Sequence, residues 1–140
     1  MADVFKGSFD ITAGDFASAG EASAKIKSIL RMIGIDPALT RRVTIASYEA
    51  ELNMIIHSHG GVMSVQISPD AIALCCEDTG PGIADIDMAM REGYSTASSD
   101  VRMMGFGAGM GLPNIKKNSD DFSIRSDTTG TCLNMRFNIN

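Results

Sequence analysis

The amino-acid sequence predicts an α+β fold, a two-layer α/β sandwich in which helices cover one face of a mostly antiparallel sheet. Two observations support this prediction. The first half of the chain has apolar residues at helical spacing over two long segments, at about 16–33 and 37–59. The remainder has short apolar segments in two pairs, 62–68 with 71–78 and 122–126 with 131–139, and each pair is joined by a turn-forming sequence.

The first strand is expected at residues 4–11, and Asp15 is a candidate N-cap for the first helix. Gly34 is expected to end that helix. Asp36 and Pro37 then begin the second helix, since proline is tolerated in the first turn of a helix.

The second helix is expected to be largely buried, yet it carries the polar residues Glu49, Asn53 and His57. Their spacing of four residues places them on one face of the helix. Polar groups on an otherwise apolar helix need partners. A functional site and a solvated helix face both remain open for Glu49 and Asn53. His57 and His59 form a weak metal-binding pattern, and His57 fits better as a histidine of the core or of the helix end.

Downstream of the first strand pair, a short helix is expected at about 85–92. Residues 93–104 are rich in serine and flanked by glycine, which is typical of a mobile lid. Another helix is expected after Gly111, to about residue 118. The last two strands are expected to turn at residues 127–130.

Length and composition restrict the function further. With 140 residues the chain fits a single domain, 1–140. Its net charge of −5 provides no basic field for nucleic acid, and its longest apolar segments are far shorter than the ~20 residues of a membrane span. The N-terminal sequence has no apolar signal core, and three cysteines without a C-x-x-C pattern fit reduced core thiols. These features predict a cytoplasmic protein.

Two glycine motifs indicate a nucleotide site. Asp78 follows the apolar segment 71–76, so a buried strand is expected to deliver its carboxylate into a pocket, and the closely following Gly80 and Gly82 leave room for a flat ligand. A second run has glycine at every other position, where free backbone N–H groups can form an anion site: Gly105, Gly107, Gly109 and Gly111. A carboxylate for a base amine and an anion site for phosphates together suggest a nucleotide.

Commoner nucleotide motifs do not fit these glycines. A Walker A loop ends in G-K-[ST], which does not occur in this sequence. A dinucleotide fingerprint starting at Gly107 or Gly80 requires glycine at position 112 or 85, where Leu112 and Asp85 stand. A glycine run alone is a weak pattern and fits a flexible surface loop equally well.

The combination of motifs is more specific. E-A-E-L-N-M-I-I-H begins at Glu49, E-D-T-G-P-G-I contains Asp78, and G-Y-S-T precedes G-A-G-M-G-L-P-N-I-K. In this order they resemble the Bergerat ATP-binding fold of gyrase, heat-shock chaperone ATPases, histidine kinases and mismatch-repair ATPases. Within it they resemble most the small anti-sigma and switch serine kinases of bacterial sigma-factor regulation, including the stressosome switch kinase. The resemblance covers about residues 45–137.

The resemblance implies a role for each matching residue. Asn53 would offer its amide oxygen to Mg²⁺, and Glu49 would act as general base. Asp78 would accept the adenine amino group, with Thr131 supporting that end of the site. The remaining nucleotide-binding positions are glycines near the base or around the phosphates: Gly80, Gly82, Gly105, Gly107, Gly109 and Gly111.

The resemblance also implies an activity. The protein would transfer the γ-phosphoryl group of ATP to serine or threonine of a small STAS-type antagonist, and a sigma factor or phosphatase is a further candidate partner. A homodimer is left open. The alternatives are a regulatory module that binds ATP or ADP without turnover and a detached ATPase half of a histidine kinase. The lid at 93–104 looks longer than in the switch kinases, and Arg102 within it, like Lys116 and Lys117, fits a solvated position best.

Overall fold

A computed structural model describes residues 4–83, 86–91 and 111–139. It contains a five-stranded sheet in the order β1-β2-β3-β5-β4, and every pair of neighbouring strands is antiparallel. The predicted fold class is therefore confirmed. The strands are β1 (Phe5–Ile11), β2 (Gly61–Ile67), β3 (Ala71–Thr79), β4 (Asp121–Asp127) and β5 (Gly130–Asn138).

Four α-helices accompany the sheet in the described part of the chain: α1 (Glu21–Ile33), α2 (Pro37–His57), α3 (Ile86–Ala89) and α4 (Gly111–Asn118). Helix α2 packs between α1 and α4. None of the described helices has the length and apolar character needed to cross a membrane. The predicted lid, together with Gly105, Gly107 and Gly109, lies outside the described residues.

The first helix begins five residues later than its apolar periodicity predicts. Phe16–Ser18 form one 3-10 turn. The α-helix starts only after Gly20, whose backbone lies in the left-handed region (φ 96°) and therefore cannot be part of a right-handed helix. The expected cap at Asp15 is wrong, because its side chain makes no capping hydrogen bond. Gly34 ends the helix as predicted, with φ 90°.

The cap of α1 comes instead from Glu51 on α2. This side chain is only 2% exposed, and its carboxylate accepts the backbone N–H groups of Gly20, Ala22 and Ser23 at 3.0, 3.3 and 3.1 Å. The first N–H groups of a helix have no partner within it, and the helix dipole favours an anion there. Glu51 therefore fixes the start of α1 to the middle of α2.

Helix α2 begins as predicted. The Asp36 carboxylate accepts the N–H groups of Ala38 and Leu39, at 3.0 and 3.3 Å, and Pro37 occupies the first turn. The helix ends at His57, two residues before the expected end, because Ser58 has an extended backbone.

One face of the sheet packs on the helices, and the strand alternation decides which side chains reach the core. Cys76 on β3 is buried in the core. Cys75 on β3 and Cys132 on β5 are half-buried and lie on the opposite face of the sheet, which none of the described helices covers. The prediction of three core thiols is thus wrong for two of them. The largest fully buried apolar side chains are Phe137, Ile26, Leu30, Met54, Met63, Ile67, Ile72, Leu74, Ile115 and Met135.

Candidate nucleotide-binding site

The polar face of α2 meets the start of α4. A Cβ atom added at Gly111 would lie 3.1 Å from Asn53 Oδ1, 3.5 Å from Asn53 Nδ2 and 3.5 Å from Glu49 Oε2. The backbone of Gly111 thus lies directly against both side chains, and any larger residue would press on them. The structure therefore brings three of the predicted site residues to one place. His57, the third residue of the predicted stripe, is exposed at the end of α2.

Glu49 is half-buried in this position. Burial raises the pKa of its carboxyl above the ordinary value for glutamate, and a hydrogen bond with the Asn114 side chain acts in the opposite direction. Asn114 lies three residues after Gly111, so it is one turn further along α4. The sequence prediction missed this residue, although its place in G-L-P-N, one turn from a predicted site glycine, was a usable signal.

A second cluster forms where β3 and β5 pair. Asp78 lies opposite Thr131 in the strand register, and the Thr131 N–H donates to Asp78 Oδ1 at 3.1 Å. Burial raises the pKa of the Asp78 carboxyl, while this hydrogen bond and the charge of His59 lower it. Within the described residues this is the one hydrogen bond that the carboxylate accepts, so its second oxygen can receive a donor from a ligand.

Ser126 joins this cluster and was not predicted. Its hydroxyl lies 2.7 Å from the Thr131 hydroxyl and also accepts the Ile83 N–H at 2.7 Å. It thereby holds the segment after β3 against the β4–β5 hairpin. Thr131 is 9% exposed, so these hydroxyl contacts are largely shielded from water.

The glycines after Asp78 are required by the packing of the chain itself. Gly82 has φ 76°, and a Cβ at this position would clash with the carbonyl oxygen of Asp127. The Gly80 N–H donates to the Thr129 carbonyl at 3.1 Å, and a Cβ there would lie 3.2 Å from the Cα of Ser58. The contact of these glycines with an adenine ring stays a prediction.

The two clusters are connected through the end of α2. The His59 N–H donates to the Thr79 carbonyl at 2.7 Å, and the Thr79 N–H donates to the Gly60 carbonyl at 3.1 Å. Helix α2 is therefore hydrogen-bonded, just beyond its last turn, to the end of the strand that carries Asp78. This arrangement fits a nucleotide: an amide oxygen and a carboxylate stand at one end and an acceptor for a base amine at the other.

The sequence is also similar to those of known proteins. A family model for histidine kinase-like ATPase domains matches residues 12–137. The chain is similar to the serine/threonine-protein kinase RsbT of Bacillus subtilis (strain 168), with 29% identity over 104 residues that cover 71% of this chain and 72% of that protein. It is also similar to the anti-sigma F factor of Pasteuria penetrans, with 30% identity over 128 residues, 84% of this chain and 82% of that protein.

Proposed function

Because this chain belongs to the family of histidine kinase-like ATPase domains, we propose that it is an ATP-dependent serine/threonine kinase of the anti-sigma or switch type. Its substrate would be a small antagonist protein of the STAS type. The observation that carries the proposal is the contact of Gly111 with both Glu49 and Asn53, which puts a carboxylate and an amide oxygen at the start of α4. The similarity to a protein named as a serine/threonine kinase supports the same activity.

In this proposal Asp78 binds the adenine amino group, with its carboxylate held by the Thr131 N–H. Asn53 would hold Mg²⁺ through its amide oxygen, because a hard cation prefers oxygen ligands. The ion, when bound, neutralises charge that develops on the phosphate oxygens. Gly111 and the preceding glycines, Gly105, Gly107 and Gly109, would surround the phosphates, and Gly80 and Gly82 would pass near the base.

Glu49 acts as the general base of the transfer. It takes the proton of the acceptor hydroxyl, the hydroxyl oxygen forms a bond to the γ-phosphorus, and ADP leaves with the electron pair of the broken P–O bond. A base must be a good proton acceptor at the working pH, and the burial that raises the pKa of Glu49 favours this role. The Asn114 side chain holds the carboxylate at the start of α4.

The test is incubation of the protein with γ-labelled ATP, Mg²⁺ and candidate STAS-type antagonist proteins. We expect the label on a serine or threonine of the antagonist, and a transfer slower by roughly 10²–10⁴-fold when Glu49→Ala replaces the wild type. A tight complex with the antagonist, formed in the presence of nucleotide without any label transfer, would replace the kinase with a regulatory module that binds ATP or ADP.

A further inference from the structure

Three potential metal ligands lie together on the open face of the sheet, away from the helices. They are Cys75 and Glu77 on β3 and Cys132 on β5. Glu77 lies directly opposite Cys132 in the strand register, and Cys75 precedes Glu77 by two residues, so all three side chains leave the same face. The two sulfur atoms and a carboxylate oxygen all lie within 4.8 Å of one another, and Cys75 Sγ is 3.8 Å from Glu77 Oε1.

We propose that Cys75, Cys132 and Glu77 form a binding site for one divalent zinc-like ion, with a fourth position open to water. Tetrahedral zinc takes sulfur at about 2.3 Å and carboxylate oxygen at about 2.0 Å, which implies a sulfur–oxygen separation of about 3.5 Å. The separation of 3.8 Å between Cys75 Sγ and Glu77 Oε1 is already close to this value. Because all three ligand atoms lie within 4.8 Å of one another, the proposal requires side-chain rotations and no shift of the strands.

A disulfide between the two cysteines fits this geometry less well. Cys75 is paired with Asn134, and Cys132 with Glu77, so the two cysteines are diagonal rather than direct neighbours. Diagonal neighbours across antiparallel strands are about 7–8 Å apart, whereas a disulfide requires Cα atoms no more than about 7 Å apart. A metal ion can bridge cysteines at this larger Cα–Cα distance, because two metal–sulfur bonds are longer than one sulfur–sulfur bond.

A divalent ion would offset two of the three negative charges that two thiolates and one carboxylate carry. The Arg125 guanidinium, directly opposite Cys132 on β4, adds positive charge to this face, where it also acts on the carboxylate of Asp127. The neighbouring residue of Glu77 on β2 is the neutral Val62.

The site shares no residue with the candidate nucleotide site, although it lies on the same two strands. Asp78 and Thr131, which follow Glu77 and precede Cys132, point to the opposite face because successive residues of a strand alternate. The inference therefore does not depend on the proposed kinase activity.

The experiment is a titration of the fully reduced protein with zinc alone, in competition with a coloured chelator, followed by cobalt to record the thiolate-to-metal absorption. We expect one ion per chain in the wild type. Loss of a partner that only orients a ligand costs 10–100-fold in affinity, so Cys75→Ser and Cys132→Ser should each cost at least about 100-fold. Glu77→Gln keeps an amide oxygen that can still bind the ion weakly, so it should cost at least about tenfold.

The matched control is Cys76→Ala, which removes the neighbouring thiol on the buried face and should leave the affinity unchanged. Circular dichroism of each variant shows that the sheet persists. Zinc affinity that is equal in the wild type and in the double variant Cys75→Ser with Cys132→Ser would overturn the proposal. Failure of the wild type to compete with the chelator would do the same.

Discussion

Two glutamates on α2, only two residues apart, have entirely different surroundings. Glu49 is half-buried beside Gly111 and is hydrogen-bonded by Asn114. The Glu51 carboxylate is fully buried and accepts hydrogen bonds from three backbone N–H groups at the start of α1. Glu49 is thus the one whose carboxylate lies among the other candidate site residues, and Glu51 is a structural cap.

Asp78→Asn should weaken ATP binding by about 1–3 kcal/mol, because a carboxamide can present a donor to the adenine amine and leaves a buried group badly paired. The loss should be smaller for GTP, which lacks that amine. Burial raises the pKa of Asp78, so the charged carboxylate costs the folded protein stability at pH values above the ordinary aspartate pKa. A neutral asparagine should therefore not lower the stability of the protein at neutral pH. Calorimetry with both nucleotides, beside a thermal melt, is the measurement. Equal losses for ATP and GTP would remove Asp78 from the adenine role.

Asn114→Ala should raise the pKa of Glu49 further, because it removes the hydrogen bond that favours the ionised carboxylate while burial remains. The measurement is an NMR titration of the labelled glutamate carboxyl groups. A base works in its deprotonated form, so phosphoryl transfer by the variant should also begin to fail at a higher pH than in the wild type. Asn118→Ala, one turn further along α4, is the control. An unchanged midpoint for Glu49 in Asn114→Ala would contradict this account of the site.

At the scale of elements, the sequence predicted those helix ends and strands that depend on local chemistry. Asp36 with Pro37 starts α2 and Gly34 ends α1, since both signals act within a few residues. The start of α1 could not be predicted in this way. Its cap, Glu51, is 28 residues away from Ser23 in the chain, and a local sequence pattern does not indicate a contact between two helices.

Glu51→Ala should therefore destabilise the protein by about 3 kcal/mol or more, because it leaves three N–H groups at the start of α1 without their charged acceptor. The free energy of unfolding in urea is the measurement. Glu49→Ala on the same helix is the matched control and should change stability much less, since that side chain is only half-buried and accepts no backbone N–H group within the described residues. Similar unfolding free energies for the two variants would show that Glu51 does not hold α1.

At the scale of the molecule, the strand pairs and helical segments were enough to predict the antiparallel sheet with helices on one face. The sequence also placed Glu49 and Asn53 on one helix face. It could not show that Gly111 touches both, or that Thr131 donates to Asp78, because these contacts join segments more than 50 residues apart. Ser126 was missed as well, because its hydroxyl contacts Thr131 across the β4–β5 hairpin and the Ile83 N–H 43 residues away.

We propose that Glu49 and Asn53 serve one reaction in different ways. Asn53→Ala should weaken Mg-ATP binding and phosphoryl transfer together, because Asn53 would hold the ion. Glu49→Ala should leave Mg-ATP affinity unchanged or slightly higher, through lost repulsion, and slow transfer by roughly 10²–10⁴-fold, the usual contribution of a positioned base.

The measurement that tests this most directly is Mg-ATP affinity beside single-turnover phosphorylation of the antagonist, for the wild type and both variants. We expect the two defects to separate: binding and transfer fail together in Asn53→Ala, and transfer alone fails in Glu49→Ala. Transfer by Glu49→Ala at the wild-type rate would show that Glu49 is not the base.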